Sequence, residues 1–403
     1  LIMSKSNETT PNVPTLRFAE YTDEWHKYAL SDFVTRITRR NKNNESSLPL
    51  TISAQYGLVD QITFFNKTVA SVDLSGYYLL YNGDFAYNKS YSNDYAWGAV
   101  KRLDNYEKGC LSSLYFVFRP TDKVDSDYLT HYFETSKWHK GISDIAGEGA
   151  RNHGLLNMAI DDYFATKHYL PSLSEQKKIA CFLNLITKRI EIQNKIISDL
   201  KVLKKELCNR YFKSVHNDTS LEYVTLKDIL TERKEYCSKD GTYTHGTLSK
   251  EGVSQKTERY DRDFLVKNED KQYKVTHFND ICYNPANLKF GVICRNTYGD
   301  LIFSPIYVTF EIADTVYPAY IELFLTNANF IGRIRRYEQG TVYERMAVSP
   351  EDFLSYETRM PAYEEQVKFA DKIQRIQDKI ELETLFLNYL QKQRKYLLNA
   401  MFI

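Results

Sequence analysis

The sequence lacks several features that would assign it to a special class of protein. No run of apolar residues is long enough to span a bilayer, and no secretory signal opens the chain. Cysteine is scarce, with six residues in 403 and no Cys-x-x-Cys pair, which argues against a disulfide framework and against a zinc site of the usual spacing. We therefore expect a cytoplasmic protein with reduced thiols and no bound metal.

The motifs of several enzyme classes are missing as well. There is no Walker A loop, no glycine-rich loop for S-adenosylmethionine, and no Asn/Asp-Pro-Pro-Tyr/Phe motif of the kind that holds an extruded adenine. The stretch NPAN at 284–287 comes nearest to the last motif but lacks the second proline and the aromatic residue. His245, His277, Asp280 and Cys282 match no standard catalytic or metal-binding spacing. An enzyme that acts alone is therefore the third hypothesis, and we predict no catalytic residues.

An excess of either charge is absent too. The chain has 53 Lys and Arg against 52 Asp and Glu, a formal net charge of +1, whereas nucleic-acid-binding domains are usually basic. Basic residues do cluster locally, at Arg36, Arg39 and Arg40, at Lys101 and Arg102, and at Arg333, Arg335 and Arg336. Each cluster is either a solvated face or part of a binding surface, and the sequence leaves both alternatives open.

The main positive feature is a repeat, because residues 170–212 recur as residues 360–402 with a shift of 190. Both copies begin with the same residues, Pro171 and Pro361, Glu175 and Glu365, and Gln176 and Gln366. Apolar residues then follow at steps of four and three, with no Pro or Gly after the opening proline, which is typical of a coiled-coil seam. The pattern predicts two helices, each of about 40 residues and roughly 60 Å long, that pack on each other.

The middle of each predicted seam is polar, with Gln193 in the first copy and Glu383 in the second. If an internal two-fold axis relates the two halves, the helices are antiparallel and the middles of their seams meet. A single polar layer in an apolar seam usually sets the register of a coiled coil. We therefore interpret Gln193 and Glu383 as a register lock; the alternative is that both side chains reach solvent at the edge of the seam.

The segments before the two helices also resemble each other, with a shift that drifts between about 190 and 196. The matching stretches are 29–37 with 225–233, 83–88 with 279–284, 111–118 with 303–310, and 128–138 with 320–330. Short alternating runs within them predict strands. The fold class is therefore α+β, with two tandem α/β domains separated by two long helices that pair as an antiparallel coiled coil. The predicted boundaries are 14–169 (domain 1), 170–213 (first helix), 214–359 (domain 2) and 360–403 (second helix).

The loops between these matching stretches differ. Residues 51–61, 89–102 and 150–157 of domain 1 occupy the places of residues 245–256, 285–295 and 341–346 of domain 2 but share little sequence with them. We call these six segments the variable loops. Two copies of one frame with different loops indicate one recognition task applied to two targets.

The repeated Pro-x-x-x-Glu-Gln motif, each copy opening a long helix behind an α/β domain, resembles the specificity (HsdS) subunit of type I restriction-modification systems. The resemblance covers residues 11–403, nearly the whole chain. It implies that each domain is a target-recognition domain for one half of a bipartite asymmetric DNA site, and that the helices set the spacer between the halves. It also implies two modification subunits that methylate adenine at N6 with S-adenosylmethionine and, in a complex that cleaves, two restriction subunits that use ATP and Mg. The specificity subunit itself carries no catalytic residues and no cofactor.

Under this reading the variable loops supply the DNA contacts. Arg, Lys, Asn and Gln are the side chains that best read base edges in the major groove, while Lys, Arg, Tyr and Ser hold phosphates. The candidates in domain 1 are Lys89, Tyr91, Ser92, Asn93, Lys101, Arg102, Arg151 and Asn152. The candidates in domain 2 are His245, Lys250, Asn287, Lys289, Arg295, Tyr343 and Arg345.

A function of another class stays open, namely a coiled-coil scaffold whose α/β domains bind proteins instead of DNA. It explains the near-zero charge and the helices equally well, but it explains the differing polar loops less easily. On the DNA reading, the near-zero charge means that the modification subunits supply much of the phosphate neutralisation.

Overall fold

The computed structural model describes residues 12–67, 70–92, 94–146, 154–238, 242–250, 252–255, 272–339 and 346–403, together with the backbone of 3–5 and 151–152. The chain forms two compact units. Unit 1 comprises Leu1–Asn194 and Leu385–Ile403, and unit 2 comprises Lys195–Thr384. Each unit therefore contains one of the repeated α/β domains and a portion of both long helices.

Unit 1 contains domain 1. Its strands are β1 (Met3–Lys5), β2 (Leu16–Phe18), β3 (His26–Ala29), β4 (Val34–Arg36), β5 (Leu50–Ser53), β6 (Gly57–Asp60), β7 (Tyr78–Tyr81), β8 (Phe85–Asn88), β9 (Ala99–Arg102), β10 (Lys108–Leu111), β11 (Phe116–Pro120), β12 (Arg151–Asn152), β13 (Leu155–Leu156) and β14 (Lys167–Leu170). Its helices are α1 (Gln61–Phe65), α2 (Ser126–Tyr132), α3 (His139–Ile145), α4 (Ile160–Ala165) and the N-terminal half of α5 (Leu173–Asn217).

Two groups of strands build domain 1. A four-stranded antiparallel sheet has the order β4-β11-β8-β9, and its apolar face packs on α2 and α4 in an aromatic core where Tyr87 stacks on Tyr163. The pairs β7 with β10 and β5 with β6 enclose a second core around Leu80 and Leu111. Successive side chains of a strand point to opposite faces of the sheet, so Phe85 and Tyr87 reach the first core while Ala86 between them reaches the second, and one sheet serves both cores.

Unit 2 contains domain 2. Its strands are β15 (Tyr223–Thr225), β16 (Leu230–Glu232), β17 (Tyr236–Cys237), β18 (Thr244–Ser249), β19 (Gly252–Gln255), β20 (Tyr273–Thr276), β21 (Ile281–Tyr283), β22 (Ile293–Arg295), β23 (Leu301–Phe303), β24 (Val308–Ile312) and β25 (Glu357–Arg359). Its helices are α6 (Leu226–Ile229), α7 (Pro318–Leu325), α8 (Ala328–Ile334), α9 (Pro350–Leu354) and the N-terminal half of α10 (Tyr363–Ala400).

The strand topology repeats between the domains. The sheet β16-β24-β21-β22 of domain 2 has the same order and antiparallel pairing as β4-β11-β8-β9 of domain 1. The second sheet of domain 2 has the order β17-β20-β23-β18-β19. In domain 1, isolated β-bridges connect the strand pairs β7–β10 and β5–β6 in the same order. Arg40 bridges to Tyr78 of β7, and Pro49, just before β5, bridges to Cys110 of β10. The internal repeat predicted from the sequence is therefore a repeat of topology.

The long helices run antiparallel within each unit. In unit 1, Arg394 of α10 donates from Nε to Thr187 Oγ1 of α5 over 3.1 Å. In unit 2, Lys204 of α5 donates to Gln377 Oε1 of α10 over 2.9 Å, and Tyr211 stacks on Phe369 with ring centroids 3.6 Å apart. The predicted α+β fold class with an antiparallel pair of long helices is confirmed.

The apolar residues of the predicted seam are largely buried, among them Leu183 and Ile186 in α5 and Ile373 and Ile380 in α10. Gln193 is 5% exposed, and Glu383 forms an ion pair with Lys379 one turn away. Their proposed role as a register lock stays a prediction.

The repeated Glu-Gln motif joins each long helix to its own domain. Gln176 Oε1 accepts a hydrogen bond from the backbone N–H of Asp125, the N-cap of α2, and its Nε2 donates to the carbonyl of Pro171, at 2.8 and 2.9 Å. Gln366 does the same in unit 2, with the backbone N–H of Tyr317 before α7 and the carbonyl of Pro361, both at 2.9 Å. Since these amides are buried, losing either partner would leave an unsatisfied polar group, which explains why this residue type occurs at both places.

Candidate nucleic-acid interface

The variable loops of domain 1 meet in the folded unit. Residues Ala54 and Gln55, at the turn between β5 and β6, and Asp94 and Tyr95, in the loop after β8, line one cleft of about 660 Å³. Lys101 of β9 also lines it. The predicted segments 51–61 and 89–102, which are far apart in sequence, therefore lie on the same surface.

The third variable loop of domain 1 lies beside the second. The backbone N–H of Tyr91 donates to the carbonyl of Gly154 over 3.1 Å, and the N–H of Leu156 donates to the carbonyl of Lys89 over 3.0 Å. These hydrogen bonds attach the β12–β13 hairpin to the start of the loop after β8. All three variable loops of domain 1 thus form one continuous region.

Lys101 is a half-buried cation in this cleft. Burial lowers the pKa of Lys101, while the charge of Glu134 raises it and that of Arg394 lowers it again. The Glu134 carboxylate supplies a negative charge near this partly desolvated ammonium, and contact of Lys101 with DNA stays a prediction.

Glu134 holds the wall of the cleft together. Arg394 forms an ion pair with its carboxylate, and His131 Nδ1 lies 3.4 Å from its Oε2. Burial by itself would raise the pKa of Glu134, but the hydrogen bond from His131 and the charges of Arg394, His131 and Lys101 outweigh it and lower the pKa to about 2. The carboxylate is therefore ionised at neutral pH and offsets the positive charge of Arg394.

The remaining candidates of domain 1 have different surroundings. The Lys89 ammonium lies 4.7 Å from the ring centroid of Phe116, Tyr91 packs half-buried against the core, and Ser92 is exposed. Asn93 lies outside the described residues. For Arg151 and Asn152 the structure describes the backbone alone, paired with Leu156 and Leu155.

Arg102 and Arg295 occupy equivalent positions and make equivalent contacts inside their own domains. Arg102 forms ion pairs with Asp104 and Asp127 at 2.6 and 2.7 Å. Arg295 donates to Glu322 at 3.0 Å and to Asn279 at 2.7 Å. Their guanidinium groups thus tie the end of a strand to the following helix, and the sequence offered no sign of these partners. Contact of either residue with DNA stays a prediction.

Two of the variable loops of domain 2 also meet. Lys250, in the turn between β18 and β19, has its ammonium 6.0 Å from the ring centroid of Phe290, which ends the 3₁₀ turn Leu288–Phe290. The loops 245–256 and 285–295 therefore come together in domain 2, as their counterparts do in domain 1. Residues 341–345 of the third loop lie outside the described residues; after them, the backbone N–H of Val348 donates to the carbonyl of Pro285 over 3.3 Å.

The candidate residues of domain 2 also differ in their exposure and in their contacts. Lys250 and Asn287 are exposed, and Lys289 is half-buried with its ammonium 5.3 Å from the Phe290 ring. The His245 ring packs edge-on against Tyr273, with ring centroids 4.7 Å apart. Tyr343 and Arg345 lie outside the described residues.

Sequence reasoning missed Phe290, because it selected polar side chains for the reading of base edges. The ring is 57% exposed, and the ammonium groups of two predicted cations, Lys250 and Lys289, lie 6.0 and 5.3 Å from its centroid. The only signal in the sequence was an aromatic residue directly after Lys289 and before Gly291, inside a variable loop.

The His, Asp and Cys residues that match no standard catalytic spacing in the sequence have structural partners in domain 2. His277 lies between Asp300 and Glu235, at 2.9 and 3.0 Å. Burial raises the pKa of the Cys282 thiol well above its ordinary value, so this sulfur is protonated at neutral pH.

The described part of the chain contains no group of three or more His, Cys, Asp or Glu that is arranged to hold a metal ion. None of its helices combines the length and the apolar character that a membrane span requires.

Solved structures share this architecture over nearly its whole length, each at 14% sequence identity. The crystal structure of the HsdS subunit from Thermoanaerobacter tengcongensis matches 94% of this chain and 96% of that one, with a TM-score of 0.50. The S subunit of a type I restriction-modification system from M. genitalium matches 97% of this chain and 99% of its own chain, with a TM-score of 0.52. A structure that addresses complex assembly and conformational transition of the type I restriction-modification system matches 93% and 96%, with a TM-score of 0.56. No protein-family model matches the sequence, and no curated protein matches it at a significant level.

Proposed function

We propose that this chain, which has the fold of the specificity subunits of type I restriction-modification systems, is itself such a subunit and selects the DNA sequence on which its partners act. The observation that carries the proposal is the meeting of variable loops at equivalent places in the two domains, all three loops in domain 1 and the two described loops in domain 2. Where the frame repeats and only the surface loops change, the loops carry the difference in target. Each domain then reads one half of a bipartite, asymmetric DNA site.

The side chains at the two loop regions suit DNA. Lys89 and Lys101 in domain 1 and Lys250 and Lys289 in domain 2 are cations that can hold phosphates. Asn287 is exposed on the same surface as Lys250 and Lys289, and its amide can pair with the donor and acceptor of adenine in the major groove. These groups supply both the affinity and the discrimination that a reading domain needs.

The long helices supply the docking surface for partners. Besides the buried seam, α5 carries a second apolar stripe at steps of seven, four and seven residues, formed by Leu185, Ile192, Ile196 and Leu203, all exposed. α10 carries exposed Leu382, Phe386, Tyr389 and Tyr396 at steps of four, three and seven. Exposed apolar stripes of this length mark protein contacts.

The partners that fit these stripes are two modification subunits, which bring S-adenosylmethionine and methylate adenine at N6. A complex that also cleaves has two restriction subunits, which bring ATP and Mg. This chain then contributes no cofactor and no catalytic residue, and the helices set the distance between the half-sites.

The near-zero net charge favours a second candidate, a protein-interaction scaffold without DNA recognition. The exposed stripes of the helices fit it equally well. The polar and basic groups gathered at the variable loops fit DNA better, because a protein-binding surface is usually depleted in lysine.

Co-expression separates the two candidates. The chain is produced together with its modification partner, and N6-methyladenine in the host DNA is mapped by long-read sequencing. A bipartite, asymmetric motif that appears only when this chain is present establishes the specificity subunit. A stable complex that methylates no motif leaves the scaffold as the function.

A further inference from the structure

We propose that Phe290 is an apolar wedge that enters the DNA base stack at the half-site read by domain 2, while Lys250 and Lys289 hold the phosphates on either side. The inference rests on the proposed function and assigns a contact that the sequence did not indicate. It concerns one turn of domain 2, the 3₁₀ helix Leu288–Phe290.

The Phe290 ring is exposed, although Leu288 in the same 3₁₀ turn is buried. Leu288 is 1% exposed in the core of domain 2, whereas Phe290 is 57% exposed. A ring that faces water forgoes the hydrophobic free energy that Leu288 gains by burial. An exposed phenylalanine at the meeting point of variable loops is therefore a candidate for burial against a partner.

The turn that carries the ring is rigid. Phe290 N donates to the Asn287 carbonyl over 3.0 Å, Gly291 N donates to the Leu288 carbonyl over 2.8 Å, and the buried Asn284 accepts from Ala286 N over 3.1 Å. Gly291 closes the turn at φ +81°, a backbone conformation that residues other than glycine rarely adopt. A side chain that separates stacked bases needs such support, because a mobile ring would lose conformational entropy on insertion.

Two cations lie close to the ring. The ammonium of Lys250 is 6.0 Å and that of Lys289 is 5.3 Å from the ring centroid, and they come from two different loops. A phosphate backbone that runs past the ring could meet both lysines. Phenylalanine wedges that open a base step are accompanied by basic side chains for this reason, since the phosphate contacts offset the cost of unstacking.

Phe278 provides the matched control. It belongs to the same domain and is 58% exposed, but no cation lies over its ring in the described residues of domain 2, and it is outside the variable loops. A general effect of removing an exposed phenylalanine would therefore show at both positions. An effect of the wedge would show at Phe290 alone.

The experiment uses the complex of the full chain with its modification partner and a duplex oligonucleotide that carries the mapped site. 2-Aminopurine replaces each purine of one half-site in turn, because its fluorescence rises when a base is unstacked. Binding is measured at several NaCl concentrations for the wild type and for Phe290→Ala, Phe290→Leu, Phe278→Ala, Lys250→Ala and Lys289→Ala. Complex formation without DNA is measured for each variant by size-exclusion chromatography.

We expect Phe290→Ala to weaken binding roughly tenfold, the loss typical of one base–aromatic contact, and to abolish the 2-aminopurine signal at one step without changing the salt dependence. Phe290→Leu should keep a fraction of the signal, and Phe278→Ala should behave as the wild type. Each lysine variant should reduce the slope of log affinity against log salt by about one.

Three results overturn the wedge. Phe290→Ala could bind like Phe278→Ala, it could change the signal in the other half-site, or it could impair assembly with the partner, which would make Phe290 a protein contact. If the wild-type complex binds no specific DNA site, the proposed function is wrong, and the role of Phe290 is wrong with it. If the wild type binds its site and only the Phe290 variants behave unexpectedly, the role of Phe290 alone is wrong. The two failures are therefore distinguishable.

Discussion

Asp84 is a fully buried carboxylate with two arginine partners. Arg119 Nε donates to it over 2.6 Å, Arg39 forms a second ion pair with it, and the backbone N–H of Tyr81 donates to it over 2.8 Å. Asp280 holds the equivalent place in domain 2, where Arg233 binds both of its oxygens at 2.8 and 3.0 Å. The GDFAYN and NDICYN stretches thus match in burying an aspartate that is bound by an arginine.

We expect Asp84→Asn to destabilise unit 1 by roughly 1–2 kcal/mol, because Arg39 and Arg119 lose the carboxylate that they share, while water screens the remaining charges of these side chains, which are 33% and 45% exposed. The measurement is the midpoint of thermal unfolding of the complex. The matched control is Asp122→Asn, which changes an exposed aspartate of the same domain. Equal midpoints for the two variants would contradict a structural role for the buried ion pair.

The lowered pKa of Glu134 predicts that the stability of the folded chain depends on pH. Because its pKa is about 2 in the folded chain, below the ordinary value of 4.5, its contribution is fully present above the ordinary pKa and is lost as the pH falls through this interval. Glu134→Gln should therefore lower the free energy of unfolding near neutral pH by no more than about 1 kcal/mol, because the residue is exposed and water screens its ion pair, and it should flatten the decline of stability in acid.

The measurement for Glu134 is chemical unfolding at a series of pH values between about 6 and 3. Glu107→Gln, at an exposed position of the same domain, is the control and should leave the slope unchanged. A variant at Glu134 whose stability declines in acid as steeply as the wild type would show that this carboxylate is not the source of the dependence.

At the scale of elements, the 3₁₀ turn and the β18–β19 hairpin decide which side chains are exposed where the two described variable loops of domain 2 meet. Arg295 is at the end of β22 and is bound to Glu322 and Asn279, so its replacement is expected to disturb the strand as well as any DNA contact. Asn287 is exposed at the start of the turn. It is therefore the cleaner position at which to test recognition.

Asn287→Ala should relax the sequence preference in one half-site by about 1–3 kcal/mol, the value of one bidentate base contact. The check is N6-methyladenine mapping with the variant complex. Altered bases in one half-site, with the other half-site and the spacer unchanged, is the expected outcome. Changes in both half-sites would contradict the assignment of one half-site to each domain.

At the scale of the whole molecule, the two long helices are 45 and 38 residues long and run antiparallel within each unit. If they act as the ruler between half-sites, seven residues inserted into each should lengthen the spacer by about 10 Å, or about three base pairs, because a helix rises 1.5 Å per residue and B-DNA 3.4 Å per base pair. Seven residues preserve the heptad register of the seam.

The spacer is measured by the same methylation mapping. Insertion into one helix alone is the control, because it shifts one half of the seam against the other and should abolish a stable complex. A matched pair of insertions that leaves the spacer length as it was would contradict the ruler.

The sequence by itself determined the features that are periodic or duplicated. The steps of four and three predicted the long helices, and the shift of about 190 residues predicted two copies of one fold, because periodicity and repetition can be read along a chain without knowing what packs where. It also identified which loops differ, and it therefore located the candidate interface by segment.

Only the tertiary structure decided what individual side chains do, because their partners are distant in sequence. Arg102 and Arg295 look like DNA contacts in the sequence, and only the fold brings Asp127 and Glu322 to them. Lys250 and Phe290 are 40 residues apart, and only the pairing of strands places them 6.0 Å from each other. Local patterns thus predict elements, whereas ion pairs, clefts and exposed rings arise from long-range packing.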